Sequence, residues 1–162
     1  MAVSLGLLAC GGGAGTDTTA EGGAAQEIDV VAVEYDFEGI PDSLEAGPAS
    51  FGLTNEGKEL HELILVGINE GFTFEDAMKA KGEEGTTAGI GVIPPIEPGA
   101  EAEEALDLAG AAPGEGKPTP FEGNRIEADL EPGSYVLLCA VESKKEGKPH
   151  VELGQVKELT VQ

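Results

Sequence analysis

Thiols and imidazoles are scarce in this chain: its 162 residues hold two cysteines, Cys10 and Cys139, and two histidines, His61 and His150. Cys139 and His150 stand close together near the C-terminus, in the stretch LLCAVESKKEGKPHVELGQ of residues 137–155. A cysteine can form a disulfide, lie buried and inert, or ligate a metal as a thiolate beside imidazole nitrogens. Which of these applies depends on where the surrounding elements aim the side chains.

In SYVLLC the two-residue repeat of a strand puts Tyr135, Leu137 and Cys139 on one face, and Tyr135 and Leu137 mark that face as the core side. In HELILV the same repeat aligns His61 with Leu63 and Leu65. A cysteine and a histidine are therefore expected to point inward at strand ends, where they could share one end of the fold.

The rest of the body supplies the elements such a pair requires. EIDVVAVEYDF, GPASFGLTN, HELILV, AEAEEALDL, RIEADL, GSYVLLCAV and VKELTV read as short strands bounded by Pro, Gly or charge. About seven such strands imply an all-β, two-sheet antiparallel sandwich. NEGK, between the second and third, has the residues of a hairpin turn. One helix is expected over residues 74–82, with Thr73 as cap and Asp76 three residues on. The Gly- and Pro-rich segments 83–100 and 109–124 read as long surface loops. No internal repeat is present. With 40% apolar residues and no Trp, the core must be built mostly from Val, Leu, Ile and Ala.

Composition and spacing exclude several functions. Thirty-one acidic against nine basic residues give a formal net charge of −22, a field that repels nucleic acid and anionic lipid headgroups alike. The acid reads as solubility or salt adaptation rather than a dedicated docking face, and Glu56, Glu59 and Glu62 around His61 as a solvated face. There is no nucleophile-base-orienter set, no phosphate-binding Gly loop and no zinc spacing, so no enzyme activity is expected.

The opening MAVSLGLLACGGGAGTDTTAEGGAAQ resembles a bacterial lipoprotein signal. Leu7-Leu8-Ala9-Cys10 matches its lipobox, although Met1 to Ser4 lack the basic residues of a secretory n-region. The resemblance implies a signal remnant over 1–9, lipidation of Cys10, a flexible tether to residue 26, and an extracytoplasmic domain over 27–162 held at the membrane. A lipidated Cys10 leaves Cys139 with no disulfide partner in the chain.

Residues 27–162 resemble the cupredoxins, the blue-copper β-sandwich family. The likeness rests on SLEAGPASFGLTNEGKELHEL, where Asn55 precedes His61 by a short loop, and on LEPGSYVLLC, PHVELGQ and LTV, where a Pro-Gly-x-Tyr strand ends in Cys139 and Pro-His follows. It implies a Greek-key cupredoxin-like sandwich with one short peripheral helix, and one copper ion held by His61, Cys139, His150 and, in the axial place, Gln155. Two features depart from the family: Ala140 to Pro149 is a longer connection than usual, expected to loosen the site, and Gln155 stands where Met is commoner. The function implied is single-electron transfer to a redox partner. A metal-free binding module and a copper carrier without electron transfer are the other readings.

Overall fold

The computed structural model describes residues 24–80, 85–107, 119–120 and 124–162. The lipidation expected at Cys10, most of the expected tether and nearly all of the loop expected over 109–124 lie outside the described residues. In chain order the elements are β1 (Gln26–Val33), β2 (Asp36–Glu38), β3 (Ser43–Leu44), β4 (Gly47–Asn55), β5 (His61–Ile68), α1 (Phe74–Ala80), β6 (Thr87–Ile96), β7 (Leu106–Asp107), β8 (Thr119–Pro120), β9 (Ile126–Leu130), β10 (Gly133–Leu138), α2 (His150–Leu153) and β11 (Val156–Val161). None of these helices is long and apolar enough to cross a membrane.

The strands form two sheets, ordered β2-β1-β4-β9 and β3-β11-β10-β5-β6-β7-β8. Alternation decides which side chains meet between them: Ile28, Val30 and Ala32 of β1 and Ala49, Phe51 and Leu53 of β4 pack against Leu63 and Leu65 of β5, Ile93, Leu137 and Leu159 in one cluster. The sandwich is not antiparallel throughout. β1 pairs parallel with β4, and β11 with β3, because each pair is joined by a connection that leaves and re-enters its sheet.

Three local expectations are corrected. NEGK is not a hairpin turn, since β4 and β5 belong to different sheets and the segment carries the chain across the sandwich. Residues 83–100 are not a long loop, because Thr87–Ile96 is a strand paired along β5. Its glycines and prolines fall at irregularities of the ladder: Pro94 and Pro95 lie between the partners of His61 and Leu63, and Gly89 to Gly91 opposite the step from Val66 to Leu65. Among the described residues, AEAEEALDL contributes only β7 to a sheet, plus an isolated bridge from Glu101 to Thr54. The helix α1 forms as expected through Ala80, with Thr73 and Asp76 exchanging hydrogen bonds in a capping box. The single turn α2 is not anticipated by the sequence.

One consequence of topology matters for chemistry. β10 runs antiparallel to both β5 and β11, with Leu138 opposite Ile64 on one side and Val156 on the other. The end of β10 and the starts of β5 and β11 therefore lie side by side at one edge of the sandwich, and these are the places of Cys139, His61 and Gln155.

Phe51 is fully buried at the middle of β4, with Ile28 and Ile126 beside it in register. Phe51→Ala is expected to cost about 3–5 kcal/mol, read as a lower urea midpoint with an unchanged slope. The exposed Glu158→Ala on β11 should stay within about 0.5 kcal/mol of wild type.

Candidate metal centre

His61, the first residue of β5, and Cys139, the residue after β10, both face inward as the strand repeat requires. His150 opens the single turn α2, and Gln155 lies between Gly154 and β11. All four are 0% exposed, so no water reaches them. Among the described residues, His61, Cys139 and His150 form a group whose potential ligand atoms lie within 4.8 Å of one another. The two imidazole centroids are 4.7 Å apart.

The fourth group joins them through a hydrogen bond. The Gln155 amide donates from Nε2 to the carbonyls of Val33 at 3.2 Å and Asp36 at 3.0 Å. Its orientation is thereby set, and Oε1 accepts from His61 Nδ1 at 2.8 Å. On the other side Cys139 Sγ lies 3.4 Å from His150 Nδ1. His150 Nε2 donates to Glu59 Oε2 at 3.0 Å, which leaves Nδ1 with its lone pair toward the thiol.

The backbone ties the same residues together. Cys139 N donates to Gln155 O at 3.2 Å, Val151 N to Cys139 O at 2.8 Å, and Gln155 N to His150 O at 2.9 Å. The connection from Cys139 to His150 is consequently not loose, contrary to its length. His150 N donates to Val141 O at 2.8 Å and Ser143 N to Lys148 O at 2.9 Å, closing residues 142–149 into an excursion with its own base. The entropy of that excursion is confined within those bonds and does not fall on the site. Gly154, at φ 117°, ends the α2 turn and delivers Gln155.

Two neighbours fix His61 from outside. Asn55 is buried, accepting from Gly57 N at 2.8 Å and donating to Glu59 O at 2.8 Å and Ile96 O at 2.9 Å, so it holds the crossing segment to β6. Gly57 then lies against the imidazole so closely that a Cβ there would sit 2.6 Å from His61 Nε2. That nitrogen is buried without a hydrogen-bond partner.

Burial dominates the electrostatics of His61 and Cys139. Burial pushes His61 below the ordinary imidazole range, against the opposing hydrogen bond to Gln155. Burial likewise pushes the Cys139 thiol up to about 11, although the backbone N–H groups of Glu62 and Val141 pull it the other way. Glu59 and Glu62 do not belong to a solvated face as their spacing suggests. Glu59 is half-buried and held below the usual carboxylate range, first by the hydrogen bond from His150. Glu62 accepts from Ala140 N at 2.9 Å and is raised by desolvation. Sequence reasoning missed both, together with Gly57. The one available signal was that Glu59 and Glu62 bracket His61 closely on a strand start.

The sequence matches no protein-family model and no curated protein. The structure is similar to that of Na-dithionite-reduced auracyanin from the photosynthetic bacterium Roseiflexus castenholzii, at 17% identity over 86% of this chain and 99% of that one, with a TM-score of 0.48. It is also similar to auracyanin A, a "blue" copper protein of Chloroflexus aurantiacus, at 19% identity over 86% of this chain and 100% of that one, with a TM-score of 0.41. Reduced rusticyanin matches at 13% identity over 86% of this chain and 79% of that one, with a TM-score of 0.41.

A buried thiol with a raised pKa is a poor nucleophile. In a metal-free Cys10→Ser variant, whose remaining cysteine is Cys139, the native protein is expected to resist an aromatic disulfide reagent at pH 7 and to react with one equivalent after denaturation. Prompt native labelling would place Cys139 at an accessible surface.

Proposed function

We propose that this chain is an extracytoplasmic copper protein that carries single electrons, held at the membrane by a lipid on Cys10. The observation that carries the reading is the convergence of one thiol, two imidazoles and one amide oxygen in a water-free pocket at the end of the sandwich. His61, Cys139 and His150 would hold the ion, with Gln155 Oε1 as the weak further donor.

The residues fit that ion by their chemistry. A soft sulfur with imidazole nitrogens suits both copper oxidation states, and an amide oxygen is an accepted weak axial donor. Copper bound by such a set supplies a one-electron couple. The chain supplies the rest: a desolvated His61 imidazole held below its ordinary pKa, a sulfur approached by two backbone N–H groups, and exclusion of water by full burial. Bonds that do not use the donor atoms, from Gln155 Nε2 to the carbonyls of Val33 and Asp36 and along the backbone between Cys139, His150 and Gln155, keep the donors in place, so little rearrangement need accompany a change of charge.

The same burial favours electron transfer over copper delivery. Handing over an ion requires a path to solvent, yet every donor is enclosed and the outer edge of His150 is covered by Glu59. An electron needs only proximity. The partner is accordingly a redox protein that approaches this end of the sandwich, and not a nucleic acid, which the net charge of −22 repels.

The test is titration of the metal-free protein with Cu(II). One equivalent per chain should give intense visible absorption from thiolate-to-copper charge transfer and a higher thermal midpoint, since ligand binding favours the folded state. Cys139→Ser should abolish the colour while the apoprotein stays folded. A colourless wild type with no copper-dependent stabilisation would favour the metal-free binding module.

Anchoring rests on Leu7-Leu8-Ala9-Cys10. Cys10→Ser is expected to move the protein from the membrane fraction to the soluble one, because stable attachment takes more than a single acyl chain and all of it would be lost with the thiol. Unchanged fractionation would remove the lipid anchor from the reading.

A further inference from the structure

Glu59 lies in the crossing segment just before β5, pinned by the hydrogen bond from buried Asn55 to its backbone carbonyl. Its carboxylate turns away from solvent and reaches the distant segment that carries His150. Oε2 accepts from His150 Nε2 at 3.0 Å, and Oε1 accepts from Lys145 N at 3.2 Å. The Glu59 side chain is 17% exposed and that of His150 is 0% exposed, so the pair is shielded from competing water.

An imidazole carries its one neutral-state proton on either nitrogen, and a fixed acceptor at one nitrogen determines which. With Nε2–H committed to Glu59, the lone pair of His150 is on Nδ1, the nitrogen that faces Cys139 Sγ at 3.4 Å. A ring flip would bring carbon-bound hydrogens to both the carboxylate and the sulfur. Tyr35 stands edge-on to the ring at 5.3 Å and further limits that rotation, with its hydroxyl 3.1 Å from Ser143 Oγ.

We propose that Glu59 is the positioning residue of the metal centre: it holds His150 in the tautomer whose Nδ1 can ligate, and its negative charge beyond the ring favours the more highly charged, oxidised ion. The proposal rests on the reading that His61, Cys139 and His150 ligate copper. A carboxylate hydrogen-bonded to a ligating imidazole raises that ligand's basicity, and losing such a partner typically costs about 10–100-fold in metal affinity.

Two variants separate geometry from charge. Glu59→Gln keeps an acceptor at His150 Nε2 and removes the charge, whereas Glu59→Ala removes both. Nitrogen-15 NMR of the metal-free full chain should show His150 protonated at Nε2 in wild type and Glu59→Gln, and on both nitrogens in exchange in Glu59→Ala. An unchanged Nε2 tautomer in Glu59→Ala would overturn the positioning role. In voltammetry of the copper-loaded proteins, Glu59→Gln should keep one copper per chain and shift the balance toward the reduced ion by about tenfold, or about 59 mV for a one-electron couple. An unmoved or lowered potential would overturn the electrostatic role. Should wild type bind no copper, the copper reading falls by itself, and the tautomer of the metal-free protein still decides whether Glu59 positions His150. If Glu59→Ala fails to fold, the wild-type spectrum decides the positioning role, which His150 protonated at Nδ1 would overturn, and the potential of Glu59→Gln decides the electrostatic one.

Discussion

The hydrogen bond from His61 Nδ1 to Gln155 Oε1 is the contact around which this end of the molecule is arranged. A fully buried amide and a fully buried imidazole are each costly unless their polar atoms are paired. Here the two satisfy one another only because Gln155 Nε2 is already committed to the carbonyls of Val33 and Asp36. That commitment brings in the turn between β1 and β2, where Tyr35 adopts φ 61° and reaches Ser143 and the ring of His150. Meanwhile Gln155 O and N are bonded to Cys139 N and His150 O. One residue, through its side chain and its backbone, thus couples the first sheet, the second sheet and the segment between β10 and β11. The arrangement leaves His61 Nε2 as an unpaired polar atom pressed against Gly57.

How much of this was legible follows from the range of the forces involved. The inward aim of His61 and Cys139 is a local matter, set by a period of two and by the apolar residues that share their face. It was therefore readable from HELILV and SYVLLC. β6 was hidden because its glycines and prolines read as loop residues, whereas pairing along the whole of β5 outweighs them and places them at ladder irregularities. Glu59 was misread because an acid-rich chain makes any carboxylate look solvated. Its role depends on a contact with His150 across a crossing between sheets, which no spacing encodes. Gly57 was missed for a similar reason, since its side-chain space is taken by a ring that comes near only when the crossing segment folds back.

Length misleads for the segment from Ala140 to Pro149. A long connection would loosen a site if the metal alone had to close it. Here the bonds at Val141, Ser143 and Lys148 close it without a metal, and the lysines at 144, 145 and 148 remain exposed on its outside. They alternate with the exposed Glu142 and Glu146, Lys145 pairing with Glu146 at 2.9 Å, next to the pocket but separated from it by Glu59 and Ser143. Pocket and outer charges can therefore vary independently, the first by what the donors require and the second by what approaches.

X-ray absorption at the copper edge, on protein loaded with one equivalent and recorded both oxidised and reduced, bears most directly on whether this prebuilt pocket is a redox metal site. One sulfur and two imidazole nitrogens should appear as close scatterers in both states, with little change in their distances on reduction, because hydrogen bonds present before the metal hold the donors. A spectrum with oxygen and nitrogen scatterers but no sulfur would mean that copper sits elsewhere on the acidic surface, and that the buried group of His61, Cys139, His150 and Gln155 is a packed polar core.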